Sequence, residues 1–205
     1  MPGQNSMEMS EKFYYKAPWG RLIITIEDEA LSGIEFLSAE TEGSQKHQQH
    51  CPEEQVLQTK GKTSLQTKSE NRTYASRALH PKLNIQEKQG ESQTAQKVCK
   101  QLDEYFAGER QVFDLPLQLP GTPFQKEVWE ALQQIPYGTV LSYSQVAQAI
   151  GRPRAQRATG MACNRNPVPV VVPCHRVLGS RGQLTGYAGG LEIKARLLQL
   201  EKKFK

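Results

Sequence analysis

Cys174 is followed directly by His175 and Arg176, at the end of the run PVPVVVP that fills positions 167–173. A thiol does little at neutral pH until it becomes a thiolate, and a base or a cationic neighbour is what makes it one. Three roles stand open for Cys174: nucleophile, metal ligand, or small hydrophobe closing a buried strand, the commonest fate of an intracellular cysteine. In an extended segment adjacent side chains point to opposite faces, so a turn after Pro173, or one water, must carry any proton between the pair. A histidine acting as base also needs a third group to fix its tautomer. Downstream of residue 117 the only carboxylates are Glu127, Glu130, Glu192 and Glu201.

The elements that must position these residues are legible from pattern. Residues 13–26 and 31–37 are rich in aromatic and β-branched types and flank the polar turn Glu27-Asp28-Glu29, which predicts an antiparallel hairpin. Ala95, Val98, Leu102, Tyr105 and Phe106 fall on one helical face, with Gly108 where a C-terminal cap belongs. Thr122, Pro123 and Gln125 make a capping box ahead of a second helix with the apolar stripe Phe124, Val128, Ala131, Leu132 and Ile135. Ser142 and Gln145 make another, opening a short helix through Ile150. A tight turn at Gly151-Arg152-Pro153 leads into a helix over 154–163 that carries Arg154 and Arg157, with Arg165 just beyond. Two short helices across a glycine-containing turn predict a helix-turn-helix, and the small residues Ala158, Thr159 and Gly160 would let the second approach a groove closely. A turn at Gly179-Ser180-Arg181-Gly182 predicts a small hairpin or wing. A last helix spans 191–203, and Glu201 lies among its apolar positions Ile193, Leu197 and Leu198.

The composition narrows the class. No window approaches the roughly 18 apolar residues of a membrane span, and the first residues lack a signal-peptide layout. The four cysteines, at 51, 99, 163 and 174, have no CxxC spacing, so neither a disulfide framework nor a zinc ribbon is indicated, and a reducing, intracellular setting is expected. The net charge of +5 is unevenly spread: residues 118–205 carry twelve Lys and Arg against four Glu and no Asp, or +8, leaving −3 for the rest. A basic half beside an acidic one points to a polyanion partner. From Ser38 to Gln93 the chain holds nine glutamines and one aromatic, Tyr74, so most of it reads as a flexible insertion with room for a short strand or turn over 78–85. A domain boundary is placed near 117, giving 1–117 and 118–205.

The segments NPVPVVVPCHRV, GYAGGLEIKARLLQLE and PFQKEVWEALQQIPYGTVLSYSQVAQAIGRPRAQRATG resemble the O6-alkylguanine-DNA alkyltransferases, also called methylated-DNA–protein-cysteine methyltransferases. The likeness runs from Thr122 to Glu201 and extends more loosely to the first hairpin and the helix QKVCKQLDEYFAG. It implies an α+β protein: a small ribonuclease-H-like antiparallel sheet domain, then a helical, winged helix-turn-helix domain. It implies single-turnover DNA repair, in which Cys174 takes the alkyl group of O6-alkylguanine, with O4-alkylthymine as a second candidate substrate. His175 acts as base through a water, Glu201 orients His175, and Tyr143 helps rotate the nucleotide and protonates the departing guanine. Arg157 enters the base stack, and Gln156, Ala158 and Gly160 lie along the minor groove of double-stranded DNA. Asn166 ties the helix-turn-helix to the active segment, and Val177 and Tyr187 line the guanine pocket. Ala188 stands where some members have Ser, leaving its backbone N–H to donate to O6. The resemblance implies a monomer without cofactor, located in the cytoplasm, or in the nucleus of a eukaryote.

Some members carry a zinc in the N-terminal domain. His47, His50, Cys51 and His80 do not match its positions, so no metal is expected. Two other readings stand beside this one. A Cys-His hydrolase needs a histidine distant in sequence from its cysteine, and a non-catalytic binder of alkylated DNA lacks the reactive cysteine.

Overall fold

Three strands open the fold: β1 (Ser10–Ala17), β2 (Gly20–Glu27) and β3 (Ala30–Phe36), antiparallel in the order β1-β2-β3. They belong to a computed structural model that describes residues 10–37 and 90–205. The expected hairpin is thus a three-stranded meander. Pro18, which has no N–H to lend to a ladder, breaks the apolar run 13–26 into β1 and β2, and the Ala17–Gly20 pair closes the two-residue turn. The second turn forms at Asp28 and Glu29, both at positive φ (48° and 61°), the geometry of a two-residue hairpin loop. On β1, Phe13 and Tyr15 are buried while Lys12 and Lys16 face solvent.

The described residues resume at Gly90, just ahead of the first helix. The possible strand over 78–85, and His47, His50, Cys51 and His80, lie outside the described residues. Ser92 caps α1 (Gln93–Ala107) by accepting from the Ala95 N–H, and Gly108 ends it at φ 81°, a left-handed cap that Cβ sterics would disfavour. Ala95, Val98, Leu102 and Tyr105 face inward. The connector then adds to the sheet edge: Leu31 N–H donates to Pro116 O (2.8 Å) and Gln118 N–H to Leu31 O (3.0 Å).

Thr122 and Gln125 form the expected capping box of α2 (Pro123–Gln133), and Ser142 and Gln145 that of α3 (Tyr143–Ala149). Trp129, left out of the predicted stripe, is fully buried, its indole N–H donating to Ala162 O at 2.9 Å. The next helix, α4, spans Gln156–Asn164, two residues later than expected at its start. Arg154 therefore sits in the turn and Arg165 caps the end, which leaves Arg157 alone within the helix. α2 packs against both α3 and α4.

The turn after Leu178 is present, with Gly179 N–H donating to Gln183 O (3.0 Å). Its return arm is not a strand. Instead β5 (Val177–Leu178) pairs in parallel with β4 (Leu141–Ser142), so the wing is anchored to the entry of α3. The final helix, α5, covers Leu191–Lys203 as expected. One hydrophobic core runs without a break from Phe13 and Ile24 of the sheet, through Tyr105 and Trp129, to Val172, Cys174 and Leu197. No helix of the described residues is long and apolar enough to cross a membrane.

Candidate active site

The proline-rich run is not the extended segment its alternation of Pro and Val predicts. Val172 N–H donates back to Val168 O (2.9 Å), folding 168–172 into a tight turn with Val170 at φ 78°. A β-branched residue held there costs on the order of 1–3 kcal/mol and persists only where its surroundings dictate it. Asn166 supplies part of that restraint. Its carbonyl oxygen accepts from Val168 N–H (3.1 Å), and its amide nitrogen donates to Val172 O (2.8 Å) and to Cys174 Sγ (3.2 Å). Pro173 then leads into a single 3-10 turn, Cys174–Arg176. This turn, rather than a strand end, carries the thiol.

Within that turn Cys174, His175 and Arg176 are all buried. Burial pushes the Cys174 thiol up to about 11, against the opposing pull of the Asn166 amide and the Lys194 ammonium. The resting group at neutral pH is therefore the thiol, and reaction requires a base. Among the described residues no hydrogen bond joins Cys174 to the His175 ring, so a proton between them needs a relay. The ring's Nε2 lies 2.8 Å from Glu201 Oε1, while its buried Nδ1 has no protein partner among the described residues. Against a carboxylate Nε2 must carry the proton, which leaves Nδ1 as the basic nitrogen. Burial holds His175 below its ordinary 6.5 in spite of Glu201, so the ring is neutral and ready to accept.

Glu201 is fully buried, which explains a glutamate among the apolar positions of α5. Burial alone would raise its pKa, but the hydrogen bond from His175 and the hydrogen bonds and charge of Arg176 outweigh this and hold it at about 2. Arg176 Nε reaches both carboxylate oxygens (3.1 and 3.0 Å). Tyr105 OH donates to Oε1 at 2.8 Å and Gly138 N–H to Oε2 at 3.0 Å. Gly138 sits at φ 65°, and a Cβ there would come within 3.1 Å of the Glu201 backbone oxygen, so glycine is needed for this approach. Sequence reasoning named Glu201 and His175 but gave Arg176 no place in the site and missed Tyr105 and Gly138. The first had a signal, its adjacency to His175. The other two lie 96 and 63 residues from Glu201 and had none.

Tyr143 opens α3, half-buried, and its hydroxyl accepts from Thr185 Oγ1 at 3.0 Å. The phenol proton is thereby left free to be donated. Tyr143 lies near enough to Cys163 and Cys174 to interact with both electrostatically. Lys194, fully buried on α5, donates to Val177 O (2.6 Å) and Thr185 O (2.9 Å), tying β5 to the loop that serves Tyr143. Val177 is itself buried. Its carbonyl accepts from Lys194 Nζ, and that of Cys174 accepts from Val177 N–H. The Tyr187 ring stands edge-on to His175 at 6.5 Å, and its buried hydroxyl has no partner among the described residues. Phe36 of β3 packs against Tyr187 at 5.7 Å. Ala188 is exposed, next to that ring.

On α4, Gln156, Arg157 and Ala158 are exposed, and Gly160 lies beside the Tyr143 ring with room for a methyl group. Arg152 is held by Glu127 (2.9 and 3.0 Å). Arg154, Arg157, Arg165 and Arg181 are exposed and make no ion pair with the described residues. Exposed guanidinium groups around a helix-turn-helix are suited to phosphate.

Fold and site together define a protein in which a helix-turn-helix frame holds one buried thiol beside a histidine anchored on a carboxylate. Residues 12–119 match the family model described as "6-O-methylguanine DNA methyltransferase, ribonuclease-like domain", and residues 123–203 that described as "6-O-methylguanine DNA methyltransferase, DNA binding domain". The chain belongs to the 6-O-methylguanine DNA methyltransferase family. It is 57% identical over 102 residues to the methylated-DNA–protein-cysteine methyltransferase of Methanosarcina acetivorans, covering 50% of this chain and 65% of that protein. It is 58% identical over 104 residues to the constitutive enzyme of that name from Bacillus subtilis, covering 50% and 63%. The matched stretch thus spans less than two thirds of either relative. Among solved structures, Mycobacterium tuberculosis O6-methylguanine methyltransferase superposes with a TM-score of 0.66 at 34% identity, covering 96% of this chain and 95% of that one. A DNA complex of the M. tuberculosis protein OGT gives 0.66 at 33% identity, covering 94% and 93%.

Proposed function

We propose that the chain is a single-turnover DNA-repair protein that moves the alkyl group of O6-alkylguanine in double-stranded DNA onto Cys174. The observation that carries this reading is the pairing of a buried, protonated thiol with a neutral histidine whose one nitrogen bonded among the described residues faces the ionised Glu201. The thiol proton passes through a water to His175 Nδ1, and the ring stays oriented by Glu201. The sulfur attacks the alkyl carbon, the S–C bond forms as the C–O6 bond breaks, and the electron pair stays with guanine. Tyr143 supplies the proton that neutralises the departing guanine and later regains one from the imidazolium by way of solvent. The product is a thioether, which water does not hydrolyse, so each molecule reacts once.

The target base must leave the stack to reach a buried thiol. α4 is the element to enter the minor groove, with Gln156, Ala158 and Gly160 along it and Arg157 occupying the space the base vacates. Asn166 fixes the acceptor turn, Val177 and Tyr187 line the guanine pocket, and the Ala188 N–H meets O6. The reading includes a monomer, two domains meeting near 117, and a cytoplasmic setting, or a nuclear one in a eukaryote.

The test is to mix the protein with an oligonucleotide duplex containing O6-methylguanine and weigh the intact protein. One methyl group in place of one proton, at equimolar lesion and absent in Cys174→Ala, is the expected result; an unchanged mass would overturn the reading.

A further inference from the structure

Glu201 is hydrogen-bonded by three residues of the DNA-binding half, Gly138, His175 and Arg176, and by one residue outside it. Tyr105 belongs to α1, inside the part matched by the ribonuclease-like family model. Its hydroxyl ends 2.8 Å from Glu201 Oε1, the same oxygen that lies 2.8 Å from His175 Nε2. The ring is fully buried, edge-on to Tyr137 at 6.0 Å and tilted against Phe113 at 5.2 Å. Packing alone would be served as well by phenylalanine. Among the described residues the hydroxyl instead has a single acceptor, and that acceptor is the group that governs the histidine.

We propose that Tyr105 is a positioning residue of the alkyl-acceptor site, its hydroxyl sharing the Glu201 carboxylate with His175 and so setting how readily that ring takes the thiol proton. The ribonuclease-like half thereby takes part in the chemistry and is more than a support for the half that carries the thiol. The inference rests on the alkyl-transfer reading above.

The physical argument is a competition for negative charge. A hydrogen bond from Tyr105 disperses the charge on Oε1, which weakens its pull on a proton at the imidazole. Removing the donor concentrates that charge and favours the imidazolium. The other groups facing this cluster are Cys174 and Arg176 in the acceptor turn, Tyr137 before β4, Tyr187 in the loop before α5, and Lys194 on α5. All of them remain in a variant that alters only the Tyr105 hydroxyl. Burial keeps the Tyr105 phenol well above its ordinary pKa of 10, so it remains a donor through the working range.

The experiment follows two rates against pH in the full chain: methyl transfer from an O6-methylguanine duplex, and carboxamidomethylation of Cys174 by iodoacetamide, read on the Cys174 peptide. In Tyr105→Phe the acid limb of both profiles should move to higher pH by about half a unit, roughly threefold in rate well below the midpoint. Placing 3-fluorotyrosine at position 105, a stronger donor of nearly the same size, should move both limbs the opposite way, and it serves if Tyr105→Phe does not fold. Superimposable profiles, with only the melting temperature lowered, would mean that Tyr105 merely packs, and the proposal fails. Absence of methyl transfer in the unaltered protein overturns the alkyl-transfer reading instead, and the iodoacetamide arm separates the two failures.

Discussion

Arg176 and Glu201 form a buried ion pair in which the guanidinium reaches both carboxylate oxygens, with 7% of the arginine side chain and none of the glutamate exposed. Arg176 also donates to Ile135 O and lies over the Tyr137 ring at 5.7 Å. Charge on Glu201 is what keeps the Nε2–H tautomer of His175, so in the proposed reaction this pair would serve the chemistry as well as the fold. Removing one partner of a buried pair leaves the other uncompensated. Arg176→Met should therefore cost about 3–5 kcal/mol in denaturant unfolding. A loss below about 1 kcal/mol would mean that Glu201 is satisfied without it.

Acid should unfold the protein in a step that belongs to Glu201. Its folded pKa of about 2 lies below the ordinary 4.5, so its contribution is complete above about pH 4.5 and drains as pH falls toward 2. The gap corresponds to about 3 kcal/mol. His175, held below its ordinary 6.5, adds an earlier decline that begins as pH drops under that value. Melting temperature against pH, compared with Glu201→Gln, should lose the lower step in the variant. The same variant should slow methyl transfer on the order of a hundredfold while leaving duplex affinity nearly intact. Affinity that collapses with it would make Glu201 structural only.

Lys194→Met keeps the packed stem and removes the ammonium. The Cys174 thiol loses one of the charges that oppose its rise, and the Val177 and Thr185 carbonyls lose their donor. Stability should drop by about 1–3 kcal/mol. Reaction of Cys174 with iodoacetamide at neutral pH should slow at the same time. Unchanged thiol reactivity would show that the lysine serves packing alone.

Arg157→Ala should leave transfer from free O6-benzylguanine unchanged and slow transfer from duplex by about tenfold, because only the duplex must be opened and its gap filled. Equal slowing on both substrates would place Arg157 in the pocket rather than in the stack.

Much of this was legible in the sequence. The boundaries of α1, α2, α3 and α5 follow from caps, prolines and apolar stripes, all of which act over three or four residues and need no tertiary partner. The neighbours Cys174 and His175, and the oddity of Glu201 on an apolar face, could be read in the same local way. Two local readings were overturned. Pro18 split a run whose period of two continued on both sides of it, and the run 167–173 folded into a turn with Val170 strained, which no pattern of Pro and Val announces.

By itself, then, the sequence determined which helices form and which histidine stands next to the candidate nucleophile Cys174, because those depend on neighbours along the chain. Only the tertiary structure decided that Glu201 takes its donors from Tyr105, Gly138, His175 and Arg176 at once, and that Lys194 bridges Val177 and Thr185. Such contacts cross 96 residues in the case of Tyr105. A buried carboxylate must gather whatever donors folding brings to it, and nothing in the spacing of residues along the chain records which those will be.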